Sequence, residues 1–306
     1  MSSQSKNSLF VYVLLIIAMF LWGNSYIFTS IALESTDPIS IVFIRHVVSA
    51  ILLWLIIAIF FRKEKIPFSF FKWIVVLAFF QPFIYFIGET YGLQRVSPVI
   101  TSFIISTIPV FTTIVMRLFF KASLSLVNFT GVFIALTGVI LMIVGKNMQI
   151  DVDGLGLVLL CIAVFSAVGY AILLNKLAAT VHPVWLIAVQ NTCAALFFFP
   201  VYLWLRETPN FDHATVITFL TPQWEMWTCI LALAVLCSSI AFIFYSIAVG
   251  KLGVARCTVF SNLCPIFTAI TSFFILGERL AVTKTVGIFV IILGLILTQR
   301  KNKIEK

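Results

Sequence analysis

Apolar runs of about twenty residues follow one another along this chain almost without pause, and that feature constrains the fold more than any other. They cover roughly residues 9–33, 38–61, 71–92, 96–119, 127–145, 155–176, 183–205, 226–250, 253–276 and 281–298. A run of this length matches the hydrocarbon thickness of a bilayer when it is coiled into a helix. Backbone polar groups in hydrocarbon must be satisfied within the protein, so each run has to be a helix or a barrel strand. The runs show no period-two alternation and are twice the length of a barrel strand, so helices are expected. Only 10% of the 306 residues are charged and 62% are hydrophobic. A water-facing surface needs about a quarter of the chain charged. Lipid is therefore the expected solvent, and the expected fold class is an all-α integral membrane protein of ten transmembrane helices.

The formal charge of +9 does not point to nucleic acid, because the basic residues sit in short clusters between apolar runs. Their distribution sets an orientation instead. With the N-terminus in the cytoplasm, fourteen Lys and Arg fall on the inner side, among them Arg62, Lys63, Lys65 and Lys121. Five fall outside (Arg95, Lys146, Arg206, Arg279 and Lys284), and Arg45 lies within a helix. Both termini are thus expected to be cytoplasmic. The outer segment Phe211 to Leu220 has the pattern of a short interfacial helix or of a plain connection. The first run, Leu9 to Ile31, is too long for a cleavable leader and is expected to remain as a helix. Six cysteines lie in or beside apolar runs without a C-x-x-C pair, which suits free buried thiols. No zinc, haem or iron–sulfur spacing occurs, so no cofactor or metal is expected.

The chain repeats itself. At a shift of 156 residues Pro109 falls on Pro265, Gly131 on Gly287 and Gly138 on Gly294, without a gap between about residues 85 and 143. Earlier residues align at a shift of 145, where Asp37-Pro38 meets His182-Pro183. Two units follow, 9–145 and 154–299, each of five helices. An odd number of crossings sends the second unit into the membrane from the opposite side. Inverted repeats of this kind give a carrier two open states of similar energy, the basis of alternating access.

Three stretches carry a family resemblance: LWGNSYIF (Leu21 to Phe28) with Arg45 in the next helix, YGLQRVSPVITSFIISTIPVFT (Tyr91 to Thr112), and LGERLAVTKTVGIFVIILG (Leu276 to Gly294). Together they resemble the EamA family of the drug/metabolite transporter superfamily. The resemblance implies a carrier of the bacterial inner membrane, with a central cavity between its repeats. The solutes it implies are amino acids, metabolites, nucleotide sugars or drugs, and the direction it implies is export. The first repeat has KASLS (Lys121 to Ser125) where the second has GERLA, so Glu278 has no acidic partner in the other half.

Ionisable groups within spans are costly and therefore functional candidates. Arg45 and Glu89 both fall in the outer half of the membrane, on helices adjacent in sequence. The residues leave open a gate or substrate contact, a structural pair, or an Arg45 that reaches the headgroups. In the repeat, Arg45-His46 maps onto Gln190-Asn191 and Glu89 onto Tyr245, so one half is charged where the other is neutral. Gln81, Tyr85 and Glu89 recur at i, i+4, i+8 on helix three. Trp22 and Tyr26 share a face of helix one, with Asn24 turned further round, and Tyr170 sits at a similar depth. Helix four carries Thr101, Ser102, Ser106 and Pro109, and helix nine carries Ser261, Asn262, Pro265 and Thr268; their small hydroxylated residues suit close helix approach. The expected substrate-binding or gating set is Trp22, Asn24, Tyr26, Arg45, Gln81, Tyr85, Glu89, Thr101, Tyr170, Gln190 and Asn262. Gly131, Gly138, Gly287 and Gly294 suit close packing or a homodimer face. Glu278-Arg279 reads as a loop pair or cap, and Asn128-Phe129-Thr130 matches a glycosylation sequon on the predicted inner side.

Aromatic walls with a few amides and hydroxyls suit small organic solutes better than bare ions. A secondary transporter is therefore the expected function. A lipid flippase or a channel of similar architecture is the alternative, and an integral membrane transferase a further one. His46, His182 and His213 are too scattered for the last, and no metal-hydrolase or phosphate-loop motif occurs. Proton coupling through an acid such as Glu89 and uniport without an ion both fit the residues.

Overall fold

The structure, a computed structural model, describes residues 3–61, 68–120, 126–143, 152–207, 223–279 and 281–298. Among these every regular element is helical. Seven helical segments are long and apolar enough to cross a membrane: Leu9–Leu33, Pro38–Phe60, Ser69–Leu93, Pro98–Val115, Gly154–Leu177, Pro183–Arg206 and Trp224–Leu252. Three further apolar helices, Val127–Leu141, Leu263–Ile275 and Val282–Leu297, are shorter. The segment Phe211 to Leu220 and the KASLS stretch lie outside the described residues.

The surface is that of a protein turned inside out. Phe60, Phe274 and Phe289 are 73%, 78% and 68% exposed, while Arg45, Glu89, Gln190 and Asn191 are at most 2% exposed. Water would penalise such an apolar exterior, whereas lipid accepts it. This is a multi-pass membrane protein.

The first half comprises α1 (Ser3–Leu33), α2 (Pro38–Phe60), α3 (Phe68–Ala78), α4 (Tyr85–Leu93), α5 (Pro98–Ile105), α6 (Ile108–Phe120) and α7 (Leu126–Ile143). The second comprises α8 (Gly154–Leu177), α9 (Pro183–Arg206), α10 (Trp224–Ala232), α11 (Phe242–Leu252), α12 (Val254–Phe260), α13 (Leu263–Ile275) and α14 (Val282–Thr298). Local chemistry sets several starts. Pro38 and Pro183 occupy first-turn positions that need no N–H donor, and the Asp37 carboxylate accepts from Ser40 N at 2.9 Å. The Asp153 carboxylate likewise accepts from Gly156 N at 2.7 Å to open α8. Gly253, at φ 79°, ends α11 where a side chain would be strained.

Two expected helices are interrupted in each half, at matching places. Between α3 and α4 the chain runs through a π-helical segment, Phe79–Ile84, in which Gln81 leaves helical geometry (φ −140°, ψ 119°) and Pro82 offers no N–H. Between α10 and α11 a second π segment spans Leu233–Ala241, which the shift of 156 places over the first. The α5/α6 break at Ser106–Thr107 and the α12/α13 break at Ser261–Asn262 fall within one residue of each other in that register. Pro109 lies two residues past the first break and Pro265 three past the second, and each removes an N–H there.

Packing is preserved when the halves are exchanged. α7 packs on α14 and α2 on α9, each helix meeting its own counterpart; α8 packs on α3 and α4 as α1 does on α10 and α11. α1 against α13 mirrors α8 against α6. The glycine pairs are reciprocal. A Cβ on Gly138 would stand 2.6 Å from Ile291 N, and one on Gly294 would stand 2.2 Å from Ala135 N. These two glycines therefore serve a contact inside the chain and are not presented to a second copy as a dimer face. Asn128 is buried and donates to Leu297 O at 3.4 Å across the same pair, which removes it as a glycosylation acceptor. Glu278 accepts from Ser272 Oγ at 2.6 Å, a fastening of its own loop.

Candidate functional site

The two halves meet around a cavity whose empty volume is about 830 Å3, its open mouth included. The first half supplies Trp22, Ser25, Tyr26, Arg45, Gln81, Tyr85, Phe86, Glu89, Ser102, Ile105, Ser106 and Ile108; the second supplies Ala167, Tyr170, Ala171, Phe242, Tyr245, Thr258, Ser261 and Cys264. Seven of these are aromatic, two carry opposite charges, and most of the others are small or hydroxylated.

Arg45 enters from α2 and is 1% exposed. Its Nε donates to Ser238 Oγ at 2.9 Å, and its guanidinium carbon lies 4.4 Å from the centroid of the Phe86 ring. It does not reach toward headgroups. Glu89, from α4, is 2% exposed, and its Oε2 has no hydrogen-bond partner. Arg45 and Glu89 form no ion pair; among the described residues that geometry belongs to Arg95 and Asp153, 3.6 Å apart. Tyr26 and Tyr85 line the cavity beside Glu89.

Gln81, Tyr85 and Glu89 all line the cavity, although the regular spacing expected of them is broken. Gln81 sits in the π segment, where Phe80 O accepts both Tyr85 N and the Ser166 hydroxyl. The break is thereby tied to α8. Trp22 lines the cavity and donates from Nε1 to Cys237 O at 3.2 Å, a carbonyl of the second π segment.

Four expected residues lie off the cavity wall. Asn24 donates to Phe20 O at 2.8 Å in its own helix, and Thr101 turns its hydroxyl to Val96 O at 3.5 Å. Gln190 is buried beside Tyr170, behind the wall, with its Oε1 unpartnered. Asn262 lies at the α12/α13 break, and its neighbour Ser261 faces the cavity instead. Helical spacing explains the exchange: one residue along a helix turns a side chain about 100°. The residues not singled out include Ser25, Phe86, Phe242, Thr258 and Cys264. The repeat could have found Phe242, which lies three residues before Tyr245, the counterpart of Glu89.

Sequence reasoning also missed a polar seam where α2, α9 and the second π segment meet. His46 Nδ1 and Asn191 Oδ1 are 2.7 Å apart, Asn191 Nδ2 donates to Ser238 O at 3.2 Å, and the Ser49 and Ser239 hydroxyls are 2.7 Å apart. His46 and Asn191 are repeat counterparts at the shift of 145, so this bond joins equivalent points of the two halves.

The sequence profile of the EamA-like transporter family matches residues 9–144 and again residues 154–300. The chain belongs to the EamA-like transporter family. An uncharacterized transporter of Archaeoglobus fulgidus is 25% identical over 297 residues, covering 95% of this chain and 98% of that protein. The uncharacterized transporter YvbV of Bacillus subtilis is 22% identical, with 96% and 93% coverage. A solved crystal structure aligns over 94% of this chain and 97% of its own with a TM-score of 0.68 at 12% identity, a likeness of fold alone. Membership of this family makes the chain a membrane transporter.

Proposed function

We propose that the chain is a secondary transporter that carries small organic solutes by alternating access across the bacterial inner membrane, in the export direction. Amino acids and related metabolites are the foremost candidates, with drugs of similar size behind them. The observation that carries this reading is the cavity itself, lined by both halves and holding Arg45 and Glu89 among aromatic rings. In this reading the apolar helices make ten spans in two inverted units, 9–145 and 154–299, and both termini are cytoplasmic. Contacts that survive exchange of the halves, coincident π segments and the reciprocal glycine contact support it.

Tags on the two termini are expected to be accessible from the same, cytoplasmic side in inside-out vesicles. Access from opposite sides would end the ten-span reading. For activity, purified protein is screened by thermal shift against amino acids, sugars and organic cations, and hits are tested for counterflow in proteoliposomes. At least one small solute should raise the unfolding temperature and show counterflow. Lipid headgroup translocation without competition by soluble solutes would replace the carrier by a flippase, and conductance far above carrier turnover would replace it by a channel. A pH gradient alone is expected to drive uptake if an acid such as Glu89 exchanges protons during the cycle; uptake indifferent to the gradient makes the carrier a uniporter. Any homodimer would have to use a surface other than the α7/α14 glycine contact.

A further inference from the structure

Two opposite charges share the cavity without neutralising each other. Arg45 makes one hydrogen bond, from Nε to Ser238, and Phe86 covers its guanidinium plane. Its terminal nitrogens bond to nothing among the described residues. Glu89, three residues beyond Phe86 on the same helical stretch, has an unpartnered buried Oε2. Both line the same cavity, yet among the described residues they form no ion pair. A buried charge without a close partner is costly, and a group left so is a place where a ligand recovers free energy.

We propose that Arg45 and Glu89 are the two arms of a zwitterion site: Arg45 receives the carboxylate and Glu89 the ammonium of one solute. The inference rests on the carrier reading above and narrows its substrate class. The guanidinium suits a carboxylate because two of its N–H groups can meet two oxygens, and charge-assisted bonds are the strong ones. The carboxylate of Glu89 suits an ammonium, with the Tyr26 and Tyr85 rings beside it. An amine alone leaves Arg45 uncompensated, and an acid alone leaves Glu89 so. Organic cations and anions are rejected for the same reason that a zwitterion is accepted.

The second half gives the site a direction. Gln190 occupies the position of Arg45 in the repeat and Tyr245 that of Glu89, and among the described residues the second half brings no charged side chain to the cavity wall. The solute's body lies toward Tyr170, Phe242 and Tyr245. A zwitterion also leaves the net charge of the cavity unchanged. Loaded and empty carriers therefore meet a similar electrostatic cost on reorienting in a low-dielectric surround.

The test measures binding of each of the twenty amino acids beside its decarboxylated and deaminated analogues, by thermal shift and calorimetry on full-length protein in detergent. At least one amino acid should bind about 10- to 100-fold more tightly than either of its single-charge analogues, the loss expected when one charged hydrogen-bond partner is left unmet. Glu89→Gln keeps the side chain's shape and should bring the deaminated acid to within a few fold of its parent. Arg45→Gln installs the residue of the equivalent position in the other half and should do the same for the decarboxylated amine. These crossed gains of relative affinity cannot come from misfolding. Wild-type protein that binds an amine or an acid as tightly as the parent overturns the proposal, as does an unchanged preference in either variant. If only a sugar or an organic cation binds and shows counterflow, the zwitterion site falls and the carrier stands. If nothing binds and nothing exchanges, both fall.

Discussion

Gly294→Ala is expected to lower the stability of the folded protein by about 3 kcal/mol, read as a fall in unfolding temperature in detergent. The added Cβ would lie 2.2 Å from Ala135 N and 2.6 Å from Ala135 Cα. These are backbone atoms, which no rotamer change can move, so α7 and α14 must separate or bend. The reciprocal change, Gly138→Ala, meets Ile291 N at 2.6 Å and Gly287 O at 2.8 Å, and should cost a similar amount. Gly154→Ala is the control, since nothing lies within 4 Å of its Cβ position. It should be neutral or slightly stabilising, because alanine loses less backbone freedom on folding. Ala135→Gly should not rescue Gly294→Ala, because the closest clash is with backbone. Wild-type stability in both Gly138→Ala and Gly294→Ala would mean that these helices are not in contact as described.

Asn191→Leu is expected to cost about 2–5 kcal/mol, although the two side chains are of similar size. It removes the acceptor of His46 Nδ1 and the donor to Ser238 O in one step, each orphan costing about 1–3 kcal/mol where no water reaches it. The His46 ring lies 5.2 Å from Phe86 and 6.2 Å from Phe198, so an aromatic replacement is the natural companion change. His46→Phe with Asn191→Leu should therefore be less destabilised than the sum of the single changes. Strict additivity in that cycle, or a stable Asn191→Leu, would count against the seam.

The sequence made the membrane class plain because hydrocarbon permits so few backbone solutions. It also marked several helix starts closely: Asp37-Pro38 and His182-Pro183 stand where α2 and α9 begin. The helix interruptions were less legible. Pro82 and the Pro109/Pro265 pair announce irregularity, but the second π segment contains no proline, and the carbonyls there are held by Trp22 and Asn191, more than 40 residues away in the chain. Distant side chains of this kind leave no local signal. Among the candidate site residues, burial cost singled out Arg45 and Glu89 because a charge in a span needs a reason. Asn24 and Thr101 carry the right chemistry but turn it onto nearby backbone, Asn24 within its own helix and Thr101 onto the turn before α5, which spacing alone does not reveal. The His46–Asn191 contact was legible only as a repeat coincidence, since neither residue states which neighbour it faces.

The fit between α7 and α14 bears on how such a molecule could move. Where Gly138 and Gly294 let two backbones touch, sliding by even a fraction of a turn would drive Ala135 or Ile291 into the opposite main chain. That seam therefore resists sliding, an axle rather than a bearing surface. A displacement that opens the cavity would then have to be taken up at other contacts between the halves, such as the hydrogen bonds that join α2, α9 and the second π segment.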